Sequence, residues 1–311
     1  MHSLNNPDYM AYNLITILGP TAVGKTRLAA LLAYRFNGEI ISADSRQVYK
    51  KMNLGTGKDL KDYIVNGKLI NYHLIDVIEP GGEFNLFLFN KMFYKSFSEI
   101  GSSNKIPFLV GGTGLFLHSV LSGYNLNQVQ FDEKKYKELE TCDINFLTAR
   151  LKKINPNLHN TTDLLIKERV IKAIMIAEKK DFEGVEYKTE INSLTIGIKL
   201  NKEIVKERIT ERLIQRLKNG MIEEVENLLK NGITFEKLYF FGLEYRLIGS
   251  YLKGDLKYDE MFENLKNGIH KFAKRQITWF RKMEREGIEI NWIEGPDYNK
   301  AEAIISNKYF S

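Results

Sequence analysis

The chain has 311 residues, 43% of them hydrophobic and 27% charged, which gives enough apolar material for a sizeable core and excludes a disordered chain. Lys and Arg number 45 against 39 Asp and Glu, a net charge of +6, and this leans only slightly toward a polyanionic partner. A single cysteine, Cys142, excludes an internal disulfide and a cysteine-based metal site, no apolar run reaches membrane-spanning length, and the N-terminus lacks the basic start and apolar run of a signal peptide, so the cytoplasm is expected. The length suggests one large domain carrying an insertion, or two domains.

Residues 13–18 (NLITIL) read as a short buried strand and residues 26–36 (TRLAALLAYRF) as a helix. Between them lies Gly19-Pro20-Thr21-Ala22-Val23-Gly24-Lys25-Thr26, which fits the P-loop spacing G-x-x-x-x-G-K-[ST] at every required position. Such a loop works by geometry. Its glycines let backbone N–H groups turn inward, and the positive end of the helix adds to their hold on phosphate oxygens. Lys25 would place a point charge on a terminal phosphate, and the Thr26 hydroxyl would help hold Mg²⁺. A phosphate or diphosphate ligand follows; the motif alone does not say whether it belongs to a nucleotide.

A second strand is expected at residues 39–44, ending in the polar cluster Asp44-Ser45-Arg46-Gln47. A Gly-rich turn, Gly55-Thr56-Gly57-Lys58, and a third strand at residues 72–78 (YHLIDVI) come next. Residues 84–100 read as a helix started near Asn85. A fourth strand at residues 106–110 is broken by Gly111-Gly112-Thr113-Gly114, and residues 115–121 read as the following helix. Short apolar strands alternating with helices predict a mainly parallel sheet, with ligands beyond the carboxyl ends of its strands. The P-loop, Asp44–Gln47 and Gly111–Thr113 all fall at those ends. By position alone, the last two clusters are as well explained as turn residues.

From residue 124 to 184 strand signals give way to charged helical segments at 132–139, 144–154 and 163–180, with a break at Asn155-Pro156-Asn157. A strand returns at residues 193–200. A helix is expected over 202–218, with Asn201 as N-cap and Gly220 near its end, and Arg208, Arg212 and Arg216 line one of its faces. Arginine stripes on helices are usually solvated faces. Further helices are expected at 222–230 and 236–252. Residues 264–282 (NLKNGIHKFAKRQITWFRK) contain no acid. Leu265, Ile269, Phe272 and Phe280 give this segment an apolar side, while Lys271, Lys274, Arg275, Thr278 and Lys282 share the opposite one. Such a face can neutralise nucleic-acid phosphates or be an ordinary basic helix. Trp279 suits the core better than a base stack.

Three classes stay open on these residues. A small-molecule kinase needs a clear second-metal acid at a strand end, for which the run 73–76 offers only Asp76, inside its expected strand. A nucleotide-switched binding module needs base-reading loops, and none is evident. An enzyme that uses its P-loop on a phosphorylated donor and modifies a nucleic acid uses the most features.

Taken together, Gly19–Thr26, residues 41–49 (ISADSRQVY), Gly55-Thr56, residues 110–114 (VGGTG) and residues 273–281 (AKRQITWFR) resemble the tRNA dimethylallyltransferase family, in the family's order and across nearly the whole chain. The resemblance implies an α/β fold: a P-loop parallel sheet flanked by helices, with a helical insertion domain. The core would be residues 1–123 and 192–311, and the insertion residues 124–191. It implies transfer of a dimethylallyl group from dimethylallyl diphosphate to N6 of adenosine 37 beside the tRNA anticodon, with release of diphosphate and no consumption of ATP. The P-loop would then hold the donor's diphosphate, with Arg208 and Arg212 reaching the same phosphates. Asp44 matches the family's base, Thr113 a positioning residue, and Lys25 with Mg²⁺ would stabilise the leaving group. Contacts to the anticodon stem-loop are implied at Asp44, Ser45, Arg46, Gln47 and Thr113. Lys135, Glu168, Arg169 and Lys172 would contribute from the insertion, Gly242, Tyr245 and Arg246 from the core, and Lys274, Arg275, Gln276, Thr278, Trp279 and Arg281 from the basic segment. The sequence departs from the family at Gly57-Lys58-Asp59, in the insertion, and by two extra residues between Gly242 and Tyr245. A related family prenylates free adenine nucleotides; the basic segment and the insertion favour the tRNA branch. One tRNA-sized substrate needs no dimer, and a monomer is expected.

Overall fold

The structure is a computed structural model, in which residues 12–124, 132–155, 164, 167–178 and 189–310 are described. The chain divides into two compact units, Met1–Gly123 with Thr189–Ser311, and Tyr124–Lys188. The larger unit is built on a six-stranded sheet in the order β5-β2-β6-β1-β7-β8. Its strands are β1 (Leu14–Leu18), β2 (Gly38–Ala43), β5 (Tyr72–His73), β6 (Ile106–Gly111), β7 (Ser193–Lys199) and β8 (Asn291–Glu294), every pairing parallel. A small antiparallel ribbon, β3 (Ile64–Val65) with β4 (Lys68–Leu69), lies outside it.

The central strands are continuously apolar because both faces are covered. Alternate side chains enter different clusters, as the two-residue strand period requires. Ile15, Ile17, Ile40, Phe108 and Val110 share a core with α1 (Lys25–Arg35), α7 (Lys202–Lys218), α8 (Met221–Lys230) and part of α11 (Tyr258–Arg285). Leu14, Leu18, Ile41 and Leu109 join α2 (Leu86–Ser102), α3 (Gly114–Leu121) and the last turns of α11, through Phe280 and Met283. Asn85 caps α2, its side chain accepting from the Leu88 N–H, as the sequence suggests.

The third strand is shorter than the apolar run 72–78. Only two of its residues pair with β2, because Leu74 and Asp76 take positive φ (63° and 55°) and turn the chain. The helix expected over 236–252 is two helices, α9 (Phe235–Phe241) and α10 (Leu243–Lys253), broken by Gly242 at φ 112°, ψ −165°. The basic segment lies within the 28-residue α11, with Leu265, Ile269 and Phe280 buried as expected but Phe272 41% exposed. Strand β8 and the closing helix α12 (Tyr298–Lys308) have no counterpart in the sequence reading.

The smaller unit comprises α4 (Glu133–Glu140), α5 (Ile144–Ile154) and α6 (Lys167–Glu178) around Leu139, Leu147, Leu151, Val170, Ile171, Ile174 and Met175. Asp132 and Asp143 cap α4 and α5. Lys135 is paired with Glu178 at 2.6 Å and Lys172 with Glu168 at 2.7 Å. Arg169 lies in α6, but its side chain is outside the described residues, as are Pro156 and Asn157 of the expected break and residues 163, 165–166 and 179–180 of the expected third helix.

Candidate active site

Three strand ends open on one cavity of ≈ 360 Å³. β1 delivers the P-loop, β2 delivers Asp44–Gln47, and β6 delivers Gly112 and Thr113; Thr21, Lys25, Thr26, Asp44, Ser45, Arg46, Gln47 and Thr113 all line the cavity. The P-loop enters α1 through Gly24, which is left-handed at φ 88°, and no side chain caps that helix start or places an acid in its first turn. The amides of the first turn are therefore neither capped by a side chain nor met by an acid of their own turn.

Side chains tie the three loops together. Gln276 of α11 accepts from the Thr21 N–H and donates to the Gly112 carbonyl, both at 2.8 Å. The Thr113 hydroxyl accepts from the Ser45 N–H at 3.1 Å. The Asp44 carboxylate accepts from the Arg46 N–H at 2.9 Å and from Gln47 at 3.4 Å, an Asx turn that leaves carboxylate lone pairs for a ligand. Gln47 and Arg212 both donate to the Gly57 carbonyl at 3.3 Å, and Arg212 also meets Asp59. Gly57 has φ 72°, and a Cβ there would lie 1.9 Å from the Arg216 guanidinium, so only glycine lets the loop pass so close to the arginine.

Positive charge is concentrated here. Lys25 donates to the Pro20 carbonyl at 2.6 Å. Burial, then the Arg212 guanidinium, lower its pKa to about 7, against the opposing pull of Asp44. Burial and Arg212 likewise bring Arg216 down to about 10. Both shifts report cations crowded out of water, a stored demand for an anion. Among the described residues no group of three or more His, Cys, Asp or Glu is placed to hold a metal. Thr26 and Asp44 line the cavity, a donor set that suits Mg²⁺ held by one or two protein oxygens, water and a substrate's phosphates.

Several site expectations are corrected. Arg208 is exposed and does not line the cavity; Arg216, two turns on, does. Tyr245 is 1% exposed and its hydroxyl donates to Glu224 at 2.8 Å, so it supports the loop at Gly55 rather than meeting RNA. Gln276, at 5% exposure, is committed to the two loops it joins. Trp279 is half-buried against Gly114, with the Lys282 ammonium 4.9 Å from its ring centre. Arg246 is exposed and outside the cavity lining, while Gly242 is part of that lining. Lys274, Arg275, Thr278 and Arg281 are exposed along α11, and Arg275 reaches the cavity. Asp76 is spent on buried Lys58 and lies outside the cavity lining, so the kinase's second-metal acid is not available there.

Three residues escaped the sequence reading. Glu244, on the first turn of α10, faces the cavity, and burial raises its carboxyl despite Arg216 and Arg46; the extra residues after Gly242 were the signal. Phe272 falls on the apolar side of α11 by its spacing but lines the cavity. Glu224 of α8 lies behind the Gly-rich turn, where its carboxylate accepts from the N–H groups of Asn53 (2.7 Å), Leu54 (2.8 Å) and Gly55 (3.0 Å). Glu224→Gln places an NH₂ donor against these donors. It should cost about 1–3 kcal/mol in urea unfolding and raise the donor KM, because the Gly57 carbonyl that orients Arg212 and Gln47 is no longer fixed.

A family model described as IPP transferase matches residues 47–283, and one described as isopentenyl transferase matches residues 12–72. The tRNA dimethylallyltransferase 2 of Citrifermentans bemidjiense is 50% identical over 292 residues, 94% of each chain. The tRNA dimethylallyltransferase 1 of Geotalea uraniireducens is 49% identical over 286 residues, 92% of this chain and 94% of that one. The crystal structure of the full-length tRNA isopentenylpyrophosphate transferase of Bacillus halodurans matches with a TM-score of 0.68 at 32% identity, over 95% of this chain and 94% of its own. Its sheet order, its P-loop cavity and these matches along nearly all its length make the chain a member of the IPP transferase family.

Proposed function

We propose that the protein transfers the dimethylallyl group of dimethylallyl diphosphate to N6 of adenosine 37, next to the anticodon of tRNA, and releases diphosphate. The observation that carries this reading is the convergence of the P-loop, Asp44 and Thr113 on one cavity in a chain of this family. The electron pair of the breaking C1–O bond goes to the diphosphate. The P-loop amides, Lys25, Arg212 and Arg216 would hold that charge as it develops. N6 is a weak nucleophile because its lone pair is delocalised into the ring. As the C1–N6 bond forms, the N6 proton passes to Asp44, which orients the amine until then. Thr26 would help hold Mg²⁺, which when bound would add positive charge beside the leaving diphosphate.

The adenine leaves the loop stack to enter the cavity, as base-modifying enzymes require. The exposed cations of α11, Lys274, Arg275 and Arg281, suit RNA phosphates. In the insertion, Lys135 and Lys172 would exchange their carboxylate partners for phosphate. The protein acts as a monomer in the cytoplasm on this reading. Among the described residues no helix is long and apolar enough to cross a membrane.

The test is incubation with Mg²⁺, dimethylallyl diphosphate and unmodified tRNA, followed by digestion and mass analysis of adenosine, with AMP and ATP as alternative acceptors. A dimethylallyl increment beside the anticodon is expected. An increment on free nucleotide alone would move the protein to nucleotide prenylation, and ATP-dependent phosphate transfer without any increment would overturn the reading.

A further inference from the structure

Two phenylalanines, one lining the cavity and one two residues from its lining, are left in water. Phe272 is 41% exposed although Leu265, Ile269 and Phe280, on the same helix, are buried. Phe240 of α9 is 47% exposed, and its own carbonyl accepts from the Arg46 guanidinium at 2.7 Å. Both lie close to one junction. Leu243, three residues after Phe240, presses on Gly268, where a Cβ would lie 2.5 Å from the leucine; Phe272 is one helical turn beyond Gly268. Gly242, Leu243 and Phe272 all line the cavity that holds Asp44, as does Arg46, which the Phe240 carbonyl meets; Phe272 is on the lining and Phe240 is beside it in sequence, two residues from Gly242.

Each ring also carries a cation at the same helical spacing. The Lys237 ammonium is 4.9 Å from the centre of the Phe240 ring, and the Arg275 guanidinium is 5.9 Å from that of Phe272. Single exposed phenylalanines are ordinary. One ring–cation pair on the cavity lining and a second on the helix that ends at its Gly242 are a more specific arrangement beside a cavity proposed to take in one base. A nucleotide presents a flat apolar base joined to an anionic phosphate, and each pair offers a flat ring beside a mobile cation.

We propose that Phe240 and Phe272 are stacking platforms for the unpaired nucleotides flanking the target adenosine, with Lys237 and Arg275 moving from the rings to the adjoining phosphates. The proposal rests on RNA being the acceptor. Stacking would hold the flanking bases splayed while the central one turns into the cavity. Because every base has a π-face, it would contribute affinity with little sequence preference.

The test uses the full chain, dimethylallyl diphosphate, Mg²⁺ and an anticodon stem-loop carrying 2-aminopurine on either side of the target adenosine. Binding to the wild type should quench the fluorophore at one or both positions. Phe240→Leu with Phe272→Leu should abolish the quench and raise the KM for RNA about tenfold to a hundredfold, with the donor KM unchanged. Phe272→Tyr and Phe240→Tyr should restore both signals. No quench on wild-type binding, an RNA KM within twofold in the leucine variant, or failure of tyrosine to rescue would each overturn the proposal; the first needs no variant to fold. Quenching in a wild type that transfers no dimethylallyl group would sink the assigned reaction and leave the platforms standing. Transfer without quenching would do the reverse.

Discussion

Asp44→Asn is expected to lower turnover by about 10²- to 10⁴-fold, the range for loss of a positioned general base, while the enzyme still binds its donor. Asparagine is the informative replacement. Its side-chain oxygen can still accept from the Arg46 and Gln47 N–H groups that the Asp44 carboxylate serves, so the turn survives and only charge and basicity are lost. Alanine removes the turn as well, and a difference between the two variants measures what the turn contributes. One side effect is predictable. Asp44 opposes the fall in the Lys25 pKa, so neutralising it leaves Lys25 less protonated at neutral pH. Donor binding should therefore be compared as a full pH profile, in which the Asp44→Asn curve is displaced to lower pH. Wild-type turnover in Asp44→Asn, with normal donor binding, would remove Asp44 as the base.

The parts of this site that were legible in the sequence are those fixed by local geometry. A glycine-rich loop between a buried strand and a helix has few ways to fold, and parallel strands send their carboxyl ends to one edge. Thr21, Lys25 and Thr26 of the P-loop, Asp44 and Thr113 therefore meet at one cavity. What was not legible depends on distance along an axis or on a partner far away in sequence. The arginine stripe of α7 identifies a face but not which turn reaches the cavity, which Arg212 and Arg216 line and Arg208 does not. Gln276 and Tyr245 look like RNA contacts until Thr21, Gly112 and Glu224 are seen beside them. Phe272 fits the apolar period of α11, and periodicity does not distinguish a core from the rim of a cavity. The run 72–78 is apolar enough for a strand, yet the bond from Asp76 to buried Lys58 accompanies a turn that its composition does not announce.

Lys25 should give the donor a pH-dependent grip. In the free protein its pKa is about 7, because burial and Arg212 disfavour the charged form. A diphosphate placed on the ammonium favours that form and raises the pKa, so binding above pH 7 takes up a proton. Donor affinity through this group is flat below pH 7 and falls as pH rises. With a free pKa of 7 the protonated fraction at pH 8.5 is about one in thirty, so the loss relative to pH 6 approaches thirtyfold. The donor's own last ionisation acts in the opposite direction, and Lys25→Met separates the two. That variant should bind the donor weakly at every pH, lose the alkaline decline, and lose turnover as well, because the charge it lacks is needed most when the C1–O bond breaks. Stability of the ligand-free protein runs in the opposite direction. The unfolded chain holds the Lys25 proton up to about pH 10.5 and the folded chain only to about pH 7, so between these values the unfolded state binds more protons and this group's contribution to stability rises with pH. Lys25→Met without ligand should therefore melt higher than the wild type below pH 7, with the gap closing toward pH 10. Calorimetry of donor binding at pH 8 in buffers of different ionisation enthalpy reads the proton uptake directly. Equal uptake in wild type and Lys25→Met would show that Lys25 does not meet the diphosphate.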